Sequence, residues 1–398
     1  MTSYRLALSN LRYDRGRAAV SITGAGFAVV LIFMQLGFLG ATESTATLLY
    51  DRLNFDAIVL SSEYLDLARP GTFDRARLAQ AQALPGVARV LPFSTAQGLW
   101  RNPMSPADDE GHGGRKWPIV MLGADPAQLG QLFLPGDRGL FADADERKRA
   151  GAALSRLNVV MLDRRSRPDF GREAAMPPGT ATEFNGARVE LAGYFTLGTG
   201  FSYTGLLLAN EETYATLNRR PARTVTFGLV QLTPGTDANA AAAALRALLP
   251  ADVLVMTRAE LGDRERSYWI DKTAVGQFFT FGVVLALLVG AIFVYQMMVA
   301  DIKKRLPEYA TLKAVGYRFG YLFRVVVWQA MFLAVGGFAG GFLASLVLYR
   351  VTAEAAQLPV GMTAQRMVTV FALTTAMCVG SGLVAVRKVQ TADPADLF

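Results

Sequence analysis

The chain is short of the residue types from which many active sites are built. Among 398 residues it has one cysteine, Cys378, and one histidine, His112. A single cysteine excludes an internal disulfide. His112 lies in the segment DDEGHGGRK, without the second histidine or the cysteines that would complete a metal site or a nucleophile-base pair. We therefore predict neither a metal centre nor an enzymatic site.

A phosphate loop and membrane-embedded charges are also missing. No G-x-x-x-x-G-K-[ST] segment occurs, so the chain is not expected to hydrolyse ATP in the usual way by itself. Charged residues make up 18% of the chain, hydrophobic residues make up 52%, and four uncharged runs occur at 18–42, 273–300, 325–349 and 367–386. Each is long enough to cross a bilayer, which takes about 20 residues. The runs predict four transmembrane helices without an ion-coupled proton relay.

Charge is divided unevenly between the segments that these helices separate. Residues 43–272 contain 26 Lys and Arg against 27 Asp and Glu, a net charge of −1, whereas the remainder has 14 against 6, or +8. The positive-inside rule then predicts an N-in, C-in topology, and we read the basic charge as a membrane signature with no nucleic-acid partner. The predicted cytoplasmic parts are an interfacial helix at 1–17, a coupling segment at 301–324 and a tail at 387–398. The predicted outer parts are the large block 43–272 and a short loop at 350–366.

The outer block alternates between strand and helix patterns. Two strand-helix-strand units, at 56–94 and 224–257, predict an α+β domain with a ferredoxin-like split βαβ arrangement. A β-rich subdomain, roughly 98–215, is inserted between them, and the first helix is expected to begin at Thr72. At both ends of the block, polar segments are predicted to continue the neighbouring membrane helices outward as a stalk.

The segment KKRLPEYATLKAVGYR, residues 303–318, stands between two uncharged runs. Pro307 suits the first turn of a helix and Gly316 its end, and Tyr309, Leu312 and Val315 would lie close together on that helix. The segment is either a basic surface loop or a docking helix that enters a groove on a soluble partner. The candidate docking residues are Leu306, Pro307, Glu308, Tyr309, Leu312, Lys313, Val315 and Gly316.

Small and amide side chains within the runs predict helix contacts. In VGGFAGGFLAS, Gly337 and Gly341 are four residues apart, as are Gly336 and Gly340, and Ser345 follows one turn later. Such spacing allows two helices to approach closely, either within one subunit or between two copies. Gln35, Gln277, Gln296 and Gln329 are predicted interhelical hydrogen-bond partners, with a conduit lining as the alternative.

Several segments resemble one family of membrane proteins. LPEYATLKAVGY resembles the coupling motif of the MacB- and FtsX-like ABC transporter permeases, and is closer still to the DevC type. Similar matches run along essentially the whole chain: FMQLGF (33–38), LWRNP (99–103), MLDRRSRPDFG (161–171), ELAGYFTLGTGFSYTGLLL (190–208), VYQ (294–296) and the C-terminal VQTADPADLF.

The resemblance implies a homodimeric permease above two cytoplasmic ABC ATPase subunits, which would bind the ATP and Mg while this chain binds no cofactor. It implies mechanotransmission, in which ATPase motion reaches the periplasmic domain. It also implies a DevABC-like tripartite efflux system with a periplasmic membrane-fusion adaptor and a TolC-like outer-membrane duct, exporting a glycolipid or another hydrophobic substrate.

Two alternatives stay open at this point. Within the same fold, the chain could serve MacB-like peptide or toxin efflux or the release of lipoproteins. In a different class, it could be a membrane sensor with a periplasmic ligand-binding domain. The sensor is disfavoured because the predicted cytoplasmic segments are too short for a signalling domain and because it leaves the third and fourth spans unexplained.

Overall fold

A computed structural model of the chain describes residues 3–106, 114–305, 319–356 and 358–390. The chain divides into two compact units, which we call the helical unit (Met1–Ala41 with Ile270–Phe398) and the β-rich unit (Thr42–Trp269).

The helical unit is built on long apolar helices. Four helices among the described residues are long and apolar enough to cross a membrane, judged by length and composition. An uncharged run that crosses lipid is expected to be helical, because a single segment can satisfy all its backbone hydrogen bonds there only as a helix. These four helices are α2 (Arg15–Ala46), α9 (Ala274–Lys304), α10 (Phe319–Ala356) and α11 (Ala364–Gln390), and a shorter helix, α1 (Ser3–Tyr13), precedes them.

These helices pack through small side chains and a few backbone contacts. Helix α11 lies against both α9 and α10, and the hydroxyl of Ser381 on α11 donates to the carbonyl of Ala291 on α9 at 2.9 Å. The hydroxyl of Tyr349 on α10 donates to the carbonyl of Phe33 on α2. A shared core runs between the helices and includes Ala28, Val294, Ala330 and Cys378.

The β-rich unit combines eleven described strands with shorter helices. The strands are β1 (Ala57–Ser61), β2 (Phe73–Asp74), β3 (Val87–Arg101), β4 (Lys116–Ala124), β5 (Val159–Asp163), β6 (Thr180–Phe184), β7 (Ala187–Phe195), β8 (Leu206–Asn210), β9 (Thr224–Val225), β10 (Phe227–Leu232) and β11 (Val253–Thr257). The helices are α3 (Ala76–Gln82), α4 (Leu129–Leu132), α5 (Ala144–Leu154), α6 (Glu211–Leu217), α7 (Ala238–Leu248) and α8 (Arg258–Ser267).

Nine of the strands form one sheet, in the order β11-β1-β10-β3-β4-β8-β5-β7-β6. The first four pair antiparallel throughout, and α3 and α7 each connect two of them as strand-helix-strand units. The alternating burial of β11 follows the two-residue period of a strand covered on one face more than on the other.

The long strand β3 joins this part of the sheet to the rest. Its second half pairs with β4 and, at Trp100 and Arg101, with β6, which closes a ring of six strands. The pairs β4–β8 and β5–β7 are parallel, and the remaining neighbours in the ring are antiparallel. Trp100, Phe170 and Phe184 are buried in the core of this ring.

Three expected helix boundaries require correction. The helix expected from Thr72 begins at Ala76, because Phe73 and Asp74 instead pair with Val225 and Thr224 in a separate two-stranded sheet. The stalk predicted before the second span is not a continuous helix: α8 ends at Ser267, a single π-type turn follows, and Thr273 has an extended backbone (φ −95°, ψ 151°). After the first span, α2 continues only to Ala46.

Candidate functional site

The predicted coupling segment is bordered by two helix ends. Helix α9 ends at Lys304 and is followed by Arg305, and α10 begins at Phe319. The candidate docking residues themselves lie outside the described residues: Leu306, Pro307, Glu308, Tyr309, Leu312, Lys313, Val315 and Gly316. The candidate site is therefore described through the contacts of its two borders.

The end of α9 is tied to the turn between α1 and α2. The ammonium of Lys304 lies 2.7 Å from the Asp14 carboxylate, whose other oxygen accepts from the backbone N–H of Arg17 at 3.4 Å. The hydrogen bond from Lys304 lowers the pKa of the Asp14 carboxyl. Arg305 closes α9: its backbone N–H donates to the carbonyls of Asp301 and Ile302, and its guanidinium pairs with the Asp301 carboxylate at 3.4 Å.

The N-terminal helix packs against the first half of α10. The ring of Tyr4 makes an edge contact with Trp328 (centroids 5.3 Å apart) and a tilted contact with Phe332 (5.4 Å). Ala7, one turn further along α1, is completely buried. Thus α1 holds α10 while the turn after α1 holds α9, and both borders of the coupling segment are connected through the same N-terminal element.

A small cavity of about 40 Å³ lies beside this connection. Asp14, Arg17, Ser21, Asp301 and Gln329 are among its lining residues. Gln329 is 3% exposed, and its amide nitrogen has no hydrogen-bond partner among the described residues.

The predicted small-residue face of α10 meets α2 of the same chain. A methyl group placed on Gly341 would lie 2.7 Å from the carbonyl oxygen of Gly26, and one placed on Gly337 would lie 2.7 Å from the methyl of Ala25. Gly336 faces Ile22 of α2, whereas Gly340 has no described heavy atom within 4 Å of such a methyl. Two backbones therefore approach closely along this stripe, as small residues permit in lipid.

The other predicted packing residues have local or partial contacts. Ser345 donates back to the carbonyl of Gly341 within α10 at 2.7 Å. The Gln35 side chain packs against Gly282 of α9, and its oxygen is buried without a described partner. Gln277 donates to the carbonyl of Asp271 at 3.1 Å, which is a bond within its own segment rather than between helices. Gln296 is exposed.

Three features of this site were not found by sequence reasoning. Gly26 has a signal in the sequence, because it lies in TGAGFA, a cluster of small residues within the first uncharged run. The Asp14–Lys304 ion pair joins residues 290 positions apart, and the Tyr4–Trp328 contact is equally non-local, so no sequence pattern identifies either. Within the described ranges, no group of three or more His, Cys, Asp or Glu residues is placed to hold a metal ion.

Comparison with known proteins gives one family match. Residues 280–394 match the model described as FtsX-like permease C-terminal. This range includes most of α9, the coupling segment and helices α10 and α11. The curated proteins give no match.

Solved structures give distant likenesses. The crystal structure of the periplasmic region of MacB from Actinobacillus actinomycetemcomitans aligns with a TM-score of 0.37 at 12% identity, covering 54% of this chain and 94% of that one. The extracellular domain of YknZ, a noncanonic ABC-type transporter from Gram-positive bacteria, aligns with a TM-score of 0.33 at 15% identity, covering 51% and 100%. At TM-scores below 0.5, neither likeness bears on function.

Proposed function

We propose that the chain is the membrane-spanning permease subunit of an ATP-driven ABC exporter of the MacB/FtsX-like superfamily. The observation that carries this proposal is the match of residues 280–394 to the FtsX-like permease C-terminal model. The matched range contains three of the four helices that could cross a membrane and the predicted docking segment between two of them. The chain itself is not an enzyme in this proposal, and ATP with Mg is bound by a separate ATPase.

Mechanical transmission is the mode of action that best fits the residues. The uncharged runs offer no charged side chains to line a path for a solute, whereas α1 and the turn that follows it contact both helices that border the coupling segment, through Tyr4 and Asp14. A force applied to the segment would therefore move α9 and α10 together. The β-rich unit, which interrupts the helical unit in sequence, would receive this motion on the periplasmic side.

The finer assignment rests on the sequence resemblance. We propose a DevC-type permease in the bacterial inner membrane with an N-in, C-in topology, acting as a homodimer with cytoplasmic ABC ATPase subunits, a periplasmic adaptor and a TolC-like duct. The cargo would be a glycolipid or another hydrophobic molecule, with MacB-like peptide efflux and lipoprotein release as alternatives. The order β11-β1-β10-β3, with α3 and α7 as connections, supports a ferredoxin-like split arrangement in the β-rich unit.

The coupling segment provides the direct test. The double variant Tyr309→Ala, Leu312→Ala removes the two largest apolar side chains of the predicted docking face. We expect membrane abundance to stay normal, pull-down of the ATPase encoded beside this chain to weaken by about 1–3 kcal/mol, and export to stop, because buried apolar anchors dominate interface affinity.

The matched control is Tyr13→Ala, which removes an aromatic ring that is 85% exposed at the end of α1. It should leave ATPase binding and export unchanged. Full ATPase binding and export by the double variant would reduce the segment to a basic loop and contradict ATP-driven coupling through it.

A further inference from the structure

Helix α8, the last helix of the β-rich unit, is tied at its N-terminal end to the segment that follows α2. The guanidinium of Arg258 donates to three backbone carbonyls: those of Phe55 (3.1 Å), Tyr50 (2.9 Å) and Leu53 (2.5 Å). It also stacks 4.1 Å above the ring of Phe55. Because arginine stays protonated at any physiological pH, this attachment does not titrate.

The C-terminal end of the same helix is held by a buried hydrogen-bonded network of hydroxyl and carboxyl groups. The hydroxyl of Tyr64 donates to Oε1 of Glu265 at 2.5 Å, and the hydroxyls of Tyr64 and Tyr50 are 2.6 Å apart. All three residues are at most 3% exposed. Oε2 of Glu265 is buried without a partner among the described residues. This network therefore joins α8 to the segments after α2 and β1, and the Glu265 carboxyl determines its charge.

Other charged and titratable groups face this network from each neighbouring element. From the segment after β1, Asp66 lies near the carboxyl and is itself engaged by Arg69 at 2.7 Å and by the hydroxyl of Tyr268 at 3.3 Å. From α8, Arg264 donates to the carbonyl of Tyr64 at 2.7 Å. Next to Tyr50 lies the buried hydroxyl of Tyr203.

Burial is the largest influence on the carboxyl. It raises the pKa of Glu265 to about 7; the hydrogen bond from Tyr64 lowers it, the Asp66 charge raises it, and Arg264 lowers it. Burial also raises the pKa of Tyr64 and Tyr50 far above their ordinary values, so both phenols stay neutral. Within this network, Glu265 is the group that changes charge near neutral pH.

We propose that Tyr50, Tyr64 and Glu265 form a proton-controlled latch, which holds the C-terminal end of α8 when Glu265 is protonated and loosens when Glu265 ionises, while Arg258 acts as the fixed hinge. Tyr50 follows the end of α2 closely in sequence, and Glu265 lies nine residues before Ala274, the first residue of α9. The latch thus joins the two chain segments that lead to the first and second membrane helices. A periplasm that becomes more acidic would stiffen this junction.

The direction of the pH effect follows from linkage. The carboxyl has a raised pKa in the closed latch and its ordinary value of 4.5 in the open one. Its stabilising contribution is therefore complete below pH 4.5 and is lost as the pH rises to about 7. Between these limits the equilibrium constant for opening should rise about tenfold per pH unit, and above them it should level off.

Hydrogen exchange on the full chain in lipid nanodiscs tests the proposal. The measured quantity is the protection of amides in 258–267 at pH 5–8, corrected for the intrinsic exchange rate. We expect protection in the unchanged protein to fall about tenfold per pH unit up to about pH 7. Glu265→Gln, which is neutral at every pH, should remove this slope. Asp263→Asn, which neutralises a carboxylate on the same helix with 81% side-chain exposure, should preserve it.

A second variant keeps the test decisive if Glu265→Gln folds poorly. Tyr64→Phe removes the hydrogen bond that lowers the pKa of Glu265, so the plateau should begin at a higher pH than in the unchanged protein. A slope that persists in Glu265→Gln, or a plateau that Tyr64→Phe does not move, would overturn the latch.

Discussion

At the scale of single residues, the close approach of α10 to α2 depends on the missing side chain of Gly341. The carbonyl oxygen of Gly26 occupies the space where a methyl group on Gly341 would lie, and Val29 crowds the same position. Overpacking of this kind forces helices apart or side chains off their preferred rotamers. The neighbouring Gly340 carries no such constraint, because its methyl position is open.

We therefore predict that Gly341→Ala destabilises the protein by about 1–3 kcal/mol, measured as thermal unfolding in detergent together with membrane abundance. Gly340→Ala adds the same methyl group and the same helix propensity on the same helix, and should change stability by no more than about 0.5 kcal/mol. Equal effects of the two substitutions would show that the α2–α10 approach does not limit stability.

At the scale of elements, the start of α9 depends on a helix cap rather than on continuation from α8. The hydroxyl of Thr273 accepts from the backbone N–H of Gly276 at 3.3 Å, and the carbonyl of Thr273 accepts from Gln277 at 3.2 Å. The cap satisfies one of the N–H groups that a helix start leaves open. It allows α8 and α9 to be separate elements joined by a short turn.

We predict that Thr273→Ala weakens the first turn of α9 by about 1 kcal/mol, which is seen as roughly fivefold faster exchange of the Gly276 and Gln277 amides. Thr273→Ser keeps the capping hydroxyl and should exchange like the unchanged protein. Similar exchange in the alanine and serine variants would mean that the hydroxyl does not stabilise this helix end.

At the scale of the whole molecule, the net charge of +8 outside residues 43–272 predicts which parts of the chain face the cytoplasm. Two exposed positions test this in a Cys378→Ala background: Ser62 in the β-rich unit and Lys303 at the end of α9. An impermeant maleimide added to intact spheroplasts should label Ser62→Cys, and should label Lys303→Cys only after permeabilisation. Labelling of Lys303→Cys in intact spheroplasts would reverse the orientation.

Local patterns in the sequence were sufficient for much of the architecture. The four uncharged runs correspond to the four helices that are long and apolar enough to span a membrane, because length and composition alone set that property. The alternation of strand and helix signals around 56–94 and 224–257 likewise reflects periodicities of two and 3.6 residues that belong to short segments. The small-residue spacing in the third run identified residues that allow close helix approach, but not the helix they approach.

Tertiary structure decided every feature in which segments far apart in sequence contact one another. The sequence by itself determined the membrane-spanning runs, their charge asymmetry and the local elements, since these depend on neighbours within a few turns. Only the folded chain brings Gly26 to Gly341, pairs Asp14 with Lys304, closes β3 onto β6 and places Glu265 beside Tyr64, 201 residues away. The raised pKa of Glu265 arises from burial among those distant partners, and burial is a property of packing that no single segment contains.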